Sequence, residues 1–172
     1  MIAFDVSILP VPYATIMDDP AFPVLLEAYT AECLVPDAEP QRAIYEGMER
    51  ASVIKCFGAY ADDMLVGFAS LLTAVMPHDG HKVATIESLF VAADYRDTGA
   101  GNLLLAAARS AALDAECRLI HYNARIGSRL DRVLSRRAGC SLTHNVYTEW
   151  LTDQPRNPLA ASVWSVEEDA HV

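Results

Sequence analysis

The chain has 172 residues, 52% of them hydrophobic and 21% charged, with a formal net charge of -10. That is the length of one ordinary domain, with enough apolar residues for a core that needs neither disulfides nor metals. The negative charge opposes nucleic acid and anionic membranes, and no apolar run reaches the roughly 18 residues a membrane span needs.

The N-terminus lacks the basic start and small-residue cleavage site of a signal peptide, so a cytoplasmic location is expected. Ile2 to Leu9 alternates as an opening strand that Pro10 and Pro12 end. Phe22 to Leu34 is apolar at helical spacing, with Pro23 in the first turn and Pro36 beyond the end. A second helix runs from Asp37 or Glu39 to about Ala51, with Ile44 and Met48 four apart. The period then changes. Val53 to Tyr60 and Met64 to Val75 form a hairpin about Asp62-Asp63. Lys82 to Val91 is a further strand, and Gly99 to Ala115 a helix rich in Leu and Ala. Arg118 to Asn123 is a short strand, Ser128 to Ala138 an amphipathic helix ended by Gly139, and Leu142 to Leu151 a last strand. The tail from Thr152 to Val172 contributes at most an edge strand over Leu159 to Val166. No repeat or linker interrupts the pattern, so a single α/β domain is expected over residues 1–151.

Cys33, Cys56, Cys117 and Cys140 contain no Cys-x-x-Cys pair and sit among apolar residues, which reads as four reduced core thiols. His78 and His81 flank a turn without further ligands at metal-site spacing, so no metal is expected.

The chemically informative run is Glu87-Ser-Leu-Phe-Val91-Ala-Ala-Asp-Tyr-Arg96-Asp-Thr-Gly99-Ala-Gly101-Asn-Leu-Leu-Leu105. A strand leads into Arg96-x-x-Gly99-x-Gly101, and a helix starts at once. Free N–H groups and the positive dipole end of that helix suit a phosphate. Glycine removes the Cβ atoms that hold a phosphate off the backbone. An NTPase loop requires Gly-Lys-Ser/Thr, whereas Gly101 is followed by Asn102 and Leu103. The dinucleotide fingerprint requires a third small residue where Leu104 stands and an acid where Asn123 stands.

The run resembles the central motif of the GNAT superfamily of N-acetyltransferases, and the order of strands and helices over residues 1–151 agrees with that family. The resemblance implies an α/β (α+β) fold with a central mixed, mostly antiparallel sheet of six to seven strands and about four helices. It implies acetyl-CoA as co-substrate, no metal, and a primary amine as acceptor. The cofactor would lie in a gap between the strands ending at Val91 and near Asn123. Leu89, Phe90 and Val91 would pair with its pantetheine arm. Arg96, Asp97, Thr98, Gly99, Ala100, Gly101 and Asn102 would hold its pyrophosphate, and Asn123 would contact the arm. The resemblance also admits a homodimer.

Amide formation from a thioester needs a neutral amine, an oxyanion donor and a proton for the leaving thiolate. A carboxylate inside an apolar strand needs a reason, and Glu87 also stands where polyamine N-acetyltransferases of the superfamily carry a glutamate, so it is the expected base. Its other reading is a structural pair with an arginine, or a strand end facing water. Many members carry a tyrosine acid four residues before the glycine that ends the last helix, and here that position is Ser135. Tyr122 and Tyr147 are the substitute candidates, while His121 alternates to the other face and reads as structural. Arg125, Arg129, Arg132, Arg136 and Arg137 make the one basic cluster; Arg125 is placed to reach the cofactor's adenosine phosphates. The acidic surface favours a cationic acceptor over nucleic acid or membrane. A competing expectation is an acyl-CoA-binding module, or an interaction protein on the same fold using the acidic tail and Trp164, with little or no catalysis.

Overall fold

The computed structural model describes residues 5–33, 39–144 and 146. Its elements run β1 Val6–Pro10, α1 Tyr13–Met17, α2 Phe22–Cys33, α3 Arg42–Arg50, β2 Ile54–Ala61, β3 Met64–Val75, β4 Lys82–Val91, a 3-10 segment Ala93–Thr98, α4 Ala100–Asp114, β5 Leu119–Tyr122 and α5 Arg129–Leu134. Contacts divide the chain into two compact units, residues 1–29 with 40–123, and residues 30–39 with 124–172.

In the first unit the strands lie in chain order, β1-β2-β3-β4-β5. The first three junctions are antiparallel and the last is parallel. The hairpin turn is where the sequence puts it. Asp62 and Asp63 take φ of 48° and 64°, the left-handed pair that two-residue hairpins demand and that aspartate tolerates. Pro10 ends β1 at the sheet edge, where its missing N–H costs no ladder bond.

One face of the sheet packs on α4. Ala100, Leu104, Leu105, Ala108, Ala111 and Ala112 recur at helical spacing and are buried, and the small alanines let the helix lie close to Ala59, Ala69, Ala84 and Ile86. The other face is aromatic. Tyr13 and Ile16 from α1 and Phe22 and Leu25 from α2 pack on Ile54, Cys56, Leu65, Phe68 and Phe90, with Tyr45 and Met48 of α3 beside them. Tyr13 and Tyr45 stack with ring centroids 3.7 Å apart and planes 6° from parallel. The backbone N–H of Tyr13, an orphan donor at the start of α1, is satisfied by Oε1 of Glu49 at 2.8 Å.

Several expectations are corrected. The described residues form five strands rather than six or seven, with five α-helices and one 3-10 segment rather than about four helices. Leu142, Thr143, His144 and Val146 are not in a strand, and the rest of that expected strand lies outside the described residues, as does the tail. The short α1 and the 3-10 segment were not expected, because five or six residues carry too little periodicity to read. The amphipathic helix after Ser128 is only six residues long. Of the cysteines, Cys56 is buried, Cys117 and Cys140 are partly exposed, and all three are free; the Cys33 side chain lies outside the described set.

Candidate active site

β4 carries the site because its register breaks there. Ser70 of β3 pairs with Ser88, and Leu71 pairs with Ile86, so Glu87 is the extra residue of a β-bulge. The bulge reverses the alternation of side chains. Ala84 and Ile86 face the α4 core before it, and Leu89 and Val91 face that core after it. Glu87 and Ser88 therefore both fall on the aromatic face, beneath α3. Ser70 Oγ donates to Glu87 Oε2 at 2.6 Å and also shares a hydrogen bond with Ser88 Oγ. The Tyr45 hydroxyl reaches the same Oε2 at 3.4 Å. Burial, with the Tyr13 ring and the Glu87 carboxylate close by, pushes the Tyr45 phenol well above its ordinary value, so it stays protonated and donates.

No lysine, arginine or histidine pairs with Glu87 among the described residues. The carboxylate borders a pocket of about 160 Å³ with Ile44, Tyr45, Met48, Ile54 and Leu72.

The second half of the site is backbone. β4 and β5 pair from Val83 and Leu119 to Ile86 and Tyr122, and β4 then runs on for five residues, Glu87 to Val91, beyond that last rung. On its other side β4 stays paired with β3 up to Val91 opposite Gly67. The two strands approach so closely there that a Cβ on Gly67 would lie 2.6 Å from the Phe90 carbonyl oxygen. After β4 the 3-10 segment ends at Gly99, which has φ of 90° and caps α4. A side chain is strained in that conformation, and a Cβ on Gly99 would enter open space with no atom within 4 Å. The cradle ahead of α4 is thus open and lined by first-turn N–H groups, which fits a phosphate group.

The other expected cofactor residues fall around this cradle. Phe90 and Val91 are buried and Leu89 half-buried, so they present backbone rather than side chain. Thr98 Oγ1 donates to the Tyr95 carbonyl at 2.7 Å and receives the Ala100 N–H at 3.4 Å. Ala100 is buried, Gly101 half-buried, and Asp97, Asn102 and Asn123 exposed. Arg96 is tied back to the strand: its Nε donates to the Val91 carbonyl at 2.9 Å and its guanidinium lies 5.5 Å from the Phe90 ring centroid. That clamp fixes the corner between β4 and the cradle.

Tyr122 stands on the last rung with β5's partner Ile86, but it packs toward the α4 core, away from the face that carries Glu87. Tyr147 lies outside the described residues. Ser135 is exposed in the second unit, its hydroxyl bonded to the Arg132 carbonyl at 3.2 Å. Arg125, Arg129, Arg132, Arg136 and Arg137 belong to that second unit, where Arg132 also binds the Gly127 carbonyl at 2.7 Å.

The residues that sequence reading missed are Tyr45, Ser70 and Ser88. A signal existed for two of them. Ser70 interrupts a long apolar strand, and the adjacent pair Glu87-Ser88 breaks the period of two in β4, which is how a bulge shows in sequence.

A strand outruns its parallel neighbour and delivers its end to a glycine-capped helix, a corner whose free N–H groups suit a phosphate. The chain belongs to the acetyltransferase (GNAT) family, whose model matches residues 22–128. No curated protein matches it in sequence. Among solved structures, it is similar to a ribosomal-protein-alanine N-acetyltransferase from Brucella melitensis biovar Abortus 2308, at 20% identity and a TM-score of 0.65, over 86% of this chain and 100% of that one. It is similar to the aminoglycoside N-acetyltransferase AAC(6')-Iy at 18% identity and a TM-score of 0.67, over 86% of this chain and 95% of that one. A transcriptional regulator from Bacillus halodurans C-125 gives 16% identity and a TM-score of 0.67, over 85% of this chain and 99% of that one. At such identities the likeness is one of fold.

Proposed function

We propose that the protein transfers an acetyl group from acetyl-CoA to a primary amine by direct attack. The observation that carries this reading is the run of β4 past its last rung with β5, ending at the cradle capped by Gly99. Amides of the first turn of α4 hold the pyrophosphate, and the unpaired side of Glu87 to Val91 takes the pantetheine arm. The structure of AAC(6')-Iy was solved in complex with CoA, which supports the choice of co-substrate.

Acetyl-CoA supplies an activated carbonyl. The amine arrives mostly as its ammonium form, since free amines titrate near ~10. Glu87 accepts its proton, directly or through one water, and Ser70 and Tyr45 hold the carboxylate toward the pocket. The neutral nitrogen attacks, the C–N bond forms and the C–S bond breaks. A strand N–H near Phe90 or Val91 receives the oxyanion. Glu87 passes that first proton to water and then takes the proton left on the nitrogen of the new C–N bond, and the leaving thiolate is protonated from water, because Tyr122 packs toward the α4 core. Cys56 takes no part: burial and the nearby Glu49 push its thiol up to about 12, so it is no nucleophile at neutral pH. The protein acts in the cytoplasm.

The test is thiol release from acetyl-CoA across an amine panel, beside a thermal shift with acetyl-CoA alone. Ligand at 100 times its Kd adds about 2.7 kcal/mol of stability. A shift with thiol release supports the reading. A shift without release from any amine favours a binding module instead, and no shift removes both.

A further inference from the structure

We infer that the acceptor is a small amine bearing a single charge on an apolar body, seated between α3 and the sheet with its nitrogen on Glu87. This rests on the transfer reading above and narrows the cationic acceptor that net charge alone favours. Among the described residues six line the pocket, and of these Glu87 is the only charged one. The others are Ile44, Met48, Ile54 and Leu72, with the ring of Tyr45. Both hydrogen bonds to Glu87 described above arrive at Oε2, which leaves Oε1 able to accept from a ligand. Glu87 is exposed at this edge of the pocket, so an incoming ammonium reaches its carboxylate directly from solvent.

Size and wall chemistry set the class. The pocket, of about 160 Å³, opens to solvent on one side, and its walls offer a short alkyl chain or one ring an apolar seat. A second ammonium placed against Ile44, Met48 or Leu72 would find no charged partner among the described lining residues. Ile44 is 58% exposed, so it stands at the mouth.

The experiment is calorimetric titration of n-alkylamines from ethyl to hexyl, phenethylamine, spermidine and a leucyl dipeptide amide into the CoA-bound protein, with thiol release from acetyl-CoA measured in parallel. Kd should fall about fourfold per added methylene, the equivalent of ~0.8 kcal/mol for a buried CH₂, and level off when the pocket is full. Hexylamine should bind more tightly than spermidine. Ile44→Glu, which changes an exposed residue, should shift that preference toward spermidine by tenfold or more, while Ile44→Gln should not; a retained thermal shift with acetyl-CoA certifies both folds. A flat alkyl series, or spermidine preferred by the unaltered protein, overturns the assignment. Tighter binding of the dipeptide amide than of every free amine overturns it in favour of a peptide N-terminus. Graded amine binding with no thiol release leaves the pocket assigned and removes the transfer reading. Thiol release with a flat series does the reverse.

Discussion

The face of the sheet under α4 and the face under α3 are built from the same strands, yet they do different work. Under α4 the contacts are alanine, leucine and isoleucine, and the chemistry lies at the end of the helix, in backbone N–H groups and an open glycine. Under α3 the contacts are aromatic, and the chemistry lies in side chains: a carboxylate, two serine hydroxyls and a phenol drawn from α3, β3 and β4. One bulge separates the two. Without the extra residue in β4, the alternation set by Ala84 and Ile86 would carry on unbroken and give Glu87 and Ser88 to opposite faces. The α4 side thus offers backbone groups and the α3 side offers side chains.

This contrast can be broken experimentally. Glu87→Gln should lower turnover about 100-fold, the low end for loss of a general base, while the thermal shift with acetyl-CoA is retained. Equal loss of both would make Glu87 a structural residue and erase the division between the faces. Gly99→Ala acts on the other side. Its φ of 90° strains any side chain, and the methyl group enters the cradle, so KM for acetyl-CoA should rise about tenfold. An unchanged KM would place the phosphate elsewhere. Ser70→Ala should cost about threefold to tenfold in turnover, because the hydroxyl orients the carboxylate without touching substrate, and Ser70→Thr should restore part of it. Turnover unaffected by Ser70→Ala would show that Tyr45 alone orients Glu87.

The smallest effect at neutral pH, and a selective one for the aromatic face, is alkaline. Burial pushes the Tyr13 phenol and the Cys56 thiol each up to about 12. In the unfolded chain they ionise near ~10 and ~8.5. Both pKa values are raised by folding, so their contribution is fully present below the unfolded values and lost as pH climbs through about 9 to 12. Urea midpoints should be level from pH 7 to 8 and fall above 9. Tyr13→Phe should make the decline shallower. A midpoint flat to pH 11 would mean these groups open to water before the chain unfolds.

The cradle was legible because a helix N-terminus and its glycine are local: strand, loop and helix from Glu87 to Asp114 follow one another in the chain, and their dipoles and missing Cβ atoms need no distant partner. The hairpin about Asp62 and Asp63 was legible for the same reason. Glu87 stood out because a charge inside an apolar strand is conspicuous by itself. Arg96 was legible as a residue, but the bond that ties its Nε to the Val91 carbonyl was not. Tyr45 was invisible: nothing in a run of helical residues says that its hydroxyl meets a carboxylate 42 positions away. The family and the glycine-capped corner between β4 and α4 were therefore determined by the sequence, through short-range backbone conformation. What only the tertiary structure decided is the face Glu87 takes and the apolar walls it shares, because those depend on a register shift against β3 and on α3 packing over the sheet.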